Sequence, residues 1–172
     1  MAERFIGDSD SIVPHGATAR KLPENDHDFK IVGEDEKLFA TVQLTEIVLR
    51  DYCTSLTIDQ YHGGKFANVI CLGPSTYLGV DDQARKEVIR NKIAAKKAKA
   101  YAIPKHGELW LVIWTVAGDP IGSYTSGGRH VVSVPVQSAR VWLATETAEP
   151  FNRVYYYSPD LRPELVWPVV PE

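Results

Sequence analysis

Apolar and polar residues begin to alternate at position 28. Asp28, Phe29, Lys30, Ile31 and Val32 put apolar side chains at every second place before Val32, the pattern of a half-buried strand. Gly33, Glu34, Asp35 and Glu36 supply turn chemistry, and residues 38–45 resume as a second strand. Phe29 and Ile31 fall on one face of the first strand, as do Val42 and Leu44 on the second, so the pair reads as an antiparallel hairpin. Residues 46–52 fit either a helical turn or the end of that strand. Beyond them, residues 56–58 and 67–72 look strand-like, with His62, Gly63, Gly64 and Lys65 as the turn between and Gly73, Pro74 and Ser75 as a break.

The period then changes. Asp81 or Asp82 can cap a helix running to about Tyr101, with Ile89, Ile93 and Ala100 on its narrow apolar side and Lys92, Lys96 and Lys99 on another. Pro104 and Gly107 end it. Residues 109–114 are apolar without interruption, which suits a central strand covered on both faces. Trp110 and Trp114 share a face of that strand, where core packing explains them better than base stacking. Residues 118–128 read as loop. Ser133 and Pro135 open a helix to about Thr145. Residues 154–157 form a last strand, and the alternation of Tyr155, Tyr156 and Tyr157 predicts that at least one is half exposed.

The order of hairpin, helix, central strand, helix and strand predicts an α/β fold, a mixed β-sheet flanked by helices. The domain spans 28–158. A polar segment, 1–27, precedes it, mostly loop with a short helix over 2–6, and a proline-rich tail, 159–172, follows.

Composition narrows the function without choosing it. The chain has 172 residues, 44% hydrophobic and 24% charged, enough for one well-cored domain. A net charge of −3 removes any global electrostatic attraction to nucleic acid, so such a partner requires a local basic face. Arg85, Lys86, Arg90, Lys92, Lys96, Lys97 and Lys99 provide one candidate on a single helix, although a solvated helix side accounts for them equally. Cys53 and Cys71 read as reduced, partly buried thiols, with a disulfide left open. The histidines lack metal-ligand spacing, and His62-Gly63-Gly64-Lys65 lacks the spacing of a phosphate loop. With no apolar run long enough to span a bilayer and no signal-like start, the expected address is the cytoplasm, away from membranes.

The hairpin resembles the signature of the PD-(D/E)XK nuclease superfamily. His27-Asp28-Phe29-Lys30-Ile31, a polar turn, and Thr41-Val42-Gln43-Leu44-Thr45 match its strand–turn–strand element. The family brings an Asp from the first strand and an acidic residue or Gln from the second, followed two places later by Lys. Asp28 stands at the first position and Gln43 at the second, while Thr45 replaces the Lys and His27 the usual Pro. Residues 84–101, 109–114 and 151–155 resemble the elements that follow. The lysine sits on the following helix in some relatives, which makes Lys92 and Lys96 the candidates here. The family often adds a Glu from a helix before the hairpin, and Glu3 is the candidate for that role.

The resemblance implies a restriction-endonuclease-like α/β core hydrolysing phosphodiesters. Asp28 and Gln43 would hold Mg²⁺ or Mn²⁺, Lys92 or Lys96 would serve catalysis, and Arg85, Lys86, Arg90 and Lys99 would contact nucleic acid. The departures at Gln43 and Thr45 imply an alternative: a catalytically silent core that binds nucleic acid, a partner protein or copies of itself in a defence, phage or mobile-element system. Glu46 is a further carboxylate near the hairpin, read mainly as a surface group.

Overall fold

Strand β4 (Glu108–Thr115) is the axis of the molecule. In the computed structural model, which describes residues 1–9, 11–22, 28–48, 82–115, 124–126, 129–131, 134–158 and 162–169, it lies in a six-stranded mixed sheet. The other strands of that sheet are β1 (Thr18–Lys21), β2 (Phe29–Val32), β3 (Leu38–Ile47), β7 (Arg153–Tyr157) and β8 (Glu164–Trp167), in the order β1-β2-β3-β4-β7-β8. β1, β2 and β3 form an antiparallel meander, β3, β4 and β7 run parallel, and β8 returns antiparallel along β7. A separate ribbon pairs β5 (Tyr124–Ser126) with β6 (Arg129–Val131). The expected α/β class, a mixed sheet with flanking helices, is what the chain adopts.

Two helices cover one face. Helix α2 (Asp82–Lys97) lies between β3 and β4 in the chain, and α3 (Val134–Leu143) lies between β4 and β7. Both connections step the same way across the sheet, so the right-handed rule for parallel crossovers sends both helices to the same side. Val88, Ile89 and Ile93 from α2 and Val136, Ala139 and Leu143 from α3 close over Leu109, Leu111, Ile113, Val154 and Tyr156. Trp110, Val112, Tyr155 and Tyr157 point the other way, onto Phe29, Ile31, Val42 and the N-terminal residues Phe5 and Val13. Helix α1 (Ala2–Gly7) seals this second face: Phe5 stacks edge-on against Tyr157 at 5.4 Å, and the Tyr157 hydroxyl donates to Asp8 Oδ2 at 2.5 Å.

The parallel strands are joined where they enter the sheet. Leu109 N–H donates to Asn152 Oδ1 at 2.7 Å while Asn152 N–H donates to the Leu109 carbonyl at 2.8 Å. Arg153 grips the Glu108 carboxylate through Nε at 2.7 Å and Nη2 at 3.3 Å, and its guanidinium sits 5.7 Å from the Trp110 ring centre. That pairing holds the guanidinium of Arg153 above its ordinary pKa, chiefly through the hydrogen bond to Glu108. Gly107 takes φ of +77° at the mouth of β4, where an added Cβ would stand 2.8 Å from the Phe39 carbonyl oxygen, so the turn requires glycine.

Several expectations need correction. Residues 1–27 were expected to be mostly loop beyond a short helix, yet β1 lies there as an edge strand, its exposed Arg20 paired with Glu36 of the β2–β3 turn. β8 lies in the expected tail, held by Arg140, whose Nε and Nη2 donate to the Leu165 carbonyl at 3.1 and 2.6 Å. β5 falls within the expected loop at 118–128. Helix α2 stops at Lys97 rather than near Tyr101, and Ala100 is exposed instead of apolar-face. Tyr101 takes that place against the core, its ring 5.4 Å from Phe151. Tyr155, Tyr156 and Tyr157 are all buried, because β7 is covered on both faces and flanked on both edges.

The readings of Cys53, of Cys71, of His62-Gly63-Gly64-Lys65 and of the strands at 56–58 and 67–72 lie outside the described residues. So do His27 and the proposed caps Asp81 and Ser133.

Phe5 is fully buried against Tyr155 and Tyr157. Phe5→Ala is expected to cost about 3–5 kcal/mol of stability, measured by urea denaturation, since an aromatic cavity under β7 cannot collapse. A loss well under 1 kcal/mol would mean that α1 contributes little to that face.

Candidate functional site

The hairpin places Asp28 beside Gln43. Phe29 pairs with Val42 at the end of the β2–β3 ladder, and Asp28 is the residue just before that end. Two hydrogen bonds tie it to β3: Asp28 N–H donates to the Val42 carbonyl at 3.0 Å, and Leu44 N–H donates to Asp28 Oδ2 at 2.6 Å. The carboxylate thus extends the ladder by one bond that the backbone alone would not supply, while Asp28 itself remains exposed.

Strand alternation gives the faces. Gln43 pairs with Leu111, whose side chain lies in the core under α2 and α3, so Gln43 faces the helices and is 6% exposed. Thr41 and Thr45 share that face, at pairing positions opposite Leu109 and Ile113. A polar row, Thr41, Gln43 and Thr45, therefore runs down the helix side of β3. Its signal was present in the sequence as every second residue of Thr-Val-Gln-Leu-Thr. Asp28 is bonded to β3 on either side of Gln43, at the Val42 carbonyl and the Leu44 N–H.

Helix α2 brings its lysines to the same side. Lys96 is half-buried, and burial pushes its ammonium below the ordinary lysine pKa. The Asp28 charge opposes that shift, and the positive charges of Lys99 and Lys92 reinforce it. Asp28 also acts on Tyr101, whose phenol is raised by burial first and by that carboxylate second. Asp28, Lys92, Lys96, Lys99 and Tyr101 thus share one electrostatic neighbourhood. Tyr101 was not among the residues expected there; nothing in its sequence surroundings sets it apart from a core tyrosine.

The other basic residues of α2 lie elsewhere. Arg90 sits 5.3 Å from the Trp142 ring centre on α3, and Lys97 sits 5.7 Å from it while donating to the Thr147 carbonyl. Lys86 is exposed one turn before Arg90, on the same flank by helical spacing. The six positive charges with described side chains therefore divide between two flanks rather than forming one stripe. Of the residues assigned to nucleic-acid contact, Lys99 falls with the Asp28 neighbourhood and Lys86 and Arg90 fall on the α3 side. The side chain of Arg85 lies outside the described residues.

Among the described residues, the other candidate carboxylates, Glu46 and Glu3, do not turn toward Asp28. Glu46 pairs opposite Trp114, so it points to the other face of the sheet from Gln43. Glu3 is an exposed residue of α1, which also covers that other face. Among the described residues no group of three or more His, Cys, Asp or Glu side chains is placed to hold a metal ion. A Mg²⁺ or Mn²⁺ ion at this site would have one carboxylate, with an oxygen already accepting the Leu44 N–H, and one neutral amide, beside a lysine-rich flank. Hard divalent cations need more anionic oxygen than this, so the described residues do not fit the metal of the resemblance.

Compared with known proteins, the chain matches no family model, no curated protein and no solved structure.

The Asp28 carboxylate has a structural duty that can be separated from its charge. Asp28→Ala leaves Leu44 N–H without its acceptor and is expected to cost about 1–2 kcal/mol. Asp28→Asn keeps an oxygen in place and is expected to cost much less. Denaturant titration of the pair checks this, and equal losses would mean that the charge, not the hydrogen bond, does the stabilising.

Proposed function

We propose that the chain is a non-cleaving α/β core of PD-(D/E)XK-like design that binds nucleic acid through backbone phosphates at Lys92, Lys96 and Lys99. The observation that carries this reading is the sign of the charge beside Gln43. Where the resemblance calls for a cluster of anionic oxygens around a metal, the described residues have one carboxylate next to a lysine flank. Cations held at a protein surface bind phosphate by displacing counterions, without requiring a base-specific contact.

Three features support it. Lys96 and Lys92 lie one turn apart on α2, so both can reach one phosphodiester tract. Asp28 and the half-buried stems of the lysines limit how freely these side chains move, which reduces the entropy lost on binding. The net charge of −3 means that attraction to a polyanion must be local, and a helix flank supplies such a patch. The proximity of Lys96 to Asp28 also resembles the displaced lysine of active relatives, and this favours hydrolysis as the second reading.

Fluorescence anisotropy with labelled single-stranded and duplex oligonucleotides at low salt tests the first reading. The wild-type chain is expected to bind, and the double variant Lys92→Ala/Lys96→Ala to bind about tenfold more weakly. Plasmid DNA incubated with the protein and Mn²⁺ is expected to stay supercoiled. Nicking that disappears in Asp28→Asn would replace this reading with hydrolysis, and no binding to either oligonucleotide would overturn it.

A further inference from the structure

Among the described residues the six-stranded sheet ends in two edge strands, β1 and β8. An edge strand presents backbone N–H and C=O groups that no neighbour takes up, and a second chain can pair with them. β1 carries Arg20 and Lys21, charged side chains of the kind that discourage such pairing. β8 lacks them: of Glu164, Leu165, Val166 and Trp167 only Glu164 is charged, and it is buried. Pro163 and Pro168 flank the strand, and its pairing with β7 shifts register between Val154 and Tyr155. These features shorten the stretch a partner could use without closing it.

Leu165 is the open point. In an antiparallel ladder, residues that exchange both backbone bonds with the neighbour alternate with residues whose N–H and C=O both turn away. Leu165 stands opposite Tyr155, and its carbonyl accepts from Arg140 of α3, through Nε at 3.1 Å and Nη2 at 2.6 Å. Its N–H therefore points outward as well. Arg140 is half-buried, and its guanidinium has no carboxylate partner among the described residues. The planar fork suits a carboxylate best, yet here it is directed at a neutral carbonyl on the edge of a sheet. Attaching α3 to the sheet does not call for it, because Val136, Ala139 and Leu143 already pack there.

We infer that Arg140 guards the β8 edge, and that the partner it keeps out is a second copy of this chain, pairing β8 against β8. The strand is suited to its own copy. Two antiparallel β8 strands with Leu165 opposite Leu165 exchange N–H···O=C bonds between those two residues, a twofold arrangement in which the same patch serves both chains. That register sets Glu164 opposite Val166 of the second copy, so the one charge of the strand does not meet its like. The Arg140 guanidinium occupies the carbonyl that this pairing needs. It also sets a positive charge at the seam, where the second copy would bring another.

Sedimentation velocity of the full chain across a concentration series tests the guard, with two variants beside the wild type. Arg140→Met keeps the half-buried stem and Arg140→Ala does not, so the two differ in how much packing they disturb. Each folded variant is expected to self-associate about tenfold more tightly than the wild type. Hydrogen exchange at the Leu165 amide locates the contact: its protection is expected to rise with protein concentration in the variants and to be independent of concentration in the wild type.

Folded variants no more associated than the wild type would overturn the inference. So would variants that associate while the Leu165 amide still exchanges freely, since the contact would then lie elsewhere. Concentration-dependent protection of that amide in the wild type would overturn it whether or not the variants fold, because the edge would then pair with Arg140 in place.

Discussion

Residues 109–113 of β4 are all 0% exposed, and the rest of the molecule is arranged to keep water from both of their faces. Burying each such side chain contributes about 1.5–3 kcal/mol, but only if both sides of the sheet are covered. The two parallel crossovers cover one side with α2 and α3 and, by their shared handedness, leave the other side bare. The N-terminal segment has to close it. Phe5 therefore packs on Tyr155 and Tyr157, and Asp8 accepts the Tyr157 hydroxyl, although these residues are separated by most of the chain.

The site inherits its form from that arrangement. Because α2 must lie over β3 and β4, the lysines on its outer flank come to rest above the β2–β3 ladder, where Asp28 extends the pairing. Because α3 must lie beside α2, the opposite flank gives Arg90 and Lys97 to Trp142. One helix thus carries two kinds of cation. Those toward α3 hold the helices together through a shared aromatic ring, and those toward Asp28 lie beside a carboxylate. The half-burial of Lys96 is the cost of placing a charge at that seam.

Much of this architecture was legible in the sequence, for physical reasons that can be named. The alternation through Phe29, Ile31 and Val42, the unbroken apolar run of β4 and the period of Ile89 and Ile93 report side chains that must be buried whatever their partners. The pairing of Phe29 with Val42 followed from the same alternation. Less legible were β1 and β8. Edge strands are short and partly polar, as with Thr18, Arg20 and Lys21, so their membership of the sheet depends on a neighbour rather than on their own pattern. Tyr155, Tyr156 and Tyr157 were misjudged for the same reason, since β8 and α1, brought from the two ends of the chain, bury them. The division of the basic helix into two flanks depended on Trp142, fifty-two positions beyond Arg90, which no local pattern could reveal.

The account stands on the claim that Lys92 and Lys96 of α2 and Lys99 just beyond it meet phosphates, and the salt dependence of nucleic-acid binding tests it most directly. The logarithm of the binding constant falls linearly with the logarithm of salt concentration, with a slope of about −0.9 per duplex phosphate contacted. Measured for the wild type and for single substitutions of Lys92, Lys96 and Lys99 to Ala, the slope is expected to become shallower by about one unit with each. Substitution of Lys97, already held by Thr147 and Trp142, is expected to leave it nearly unchanged. A slope indifferent to Lys92, Lys96 and Lys99 would contradict the account and place any nucleic-acid surface elsewhere on the molecule.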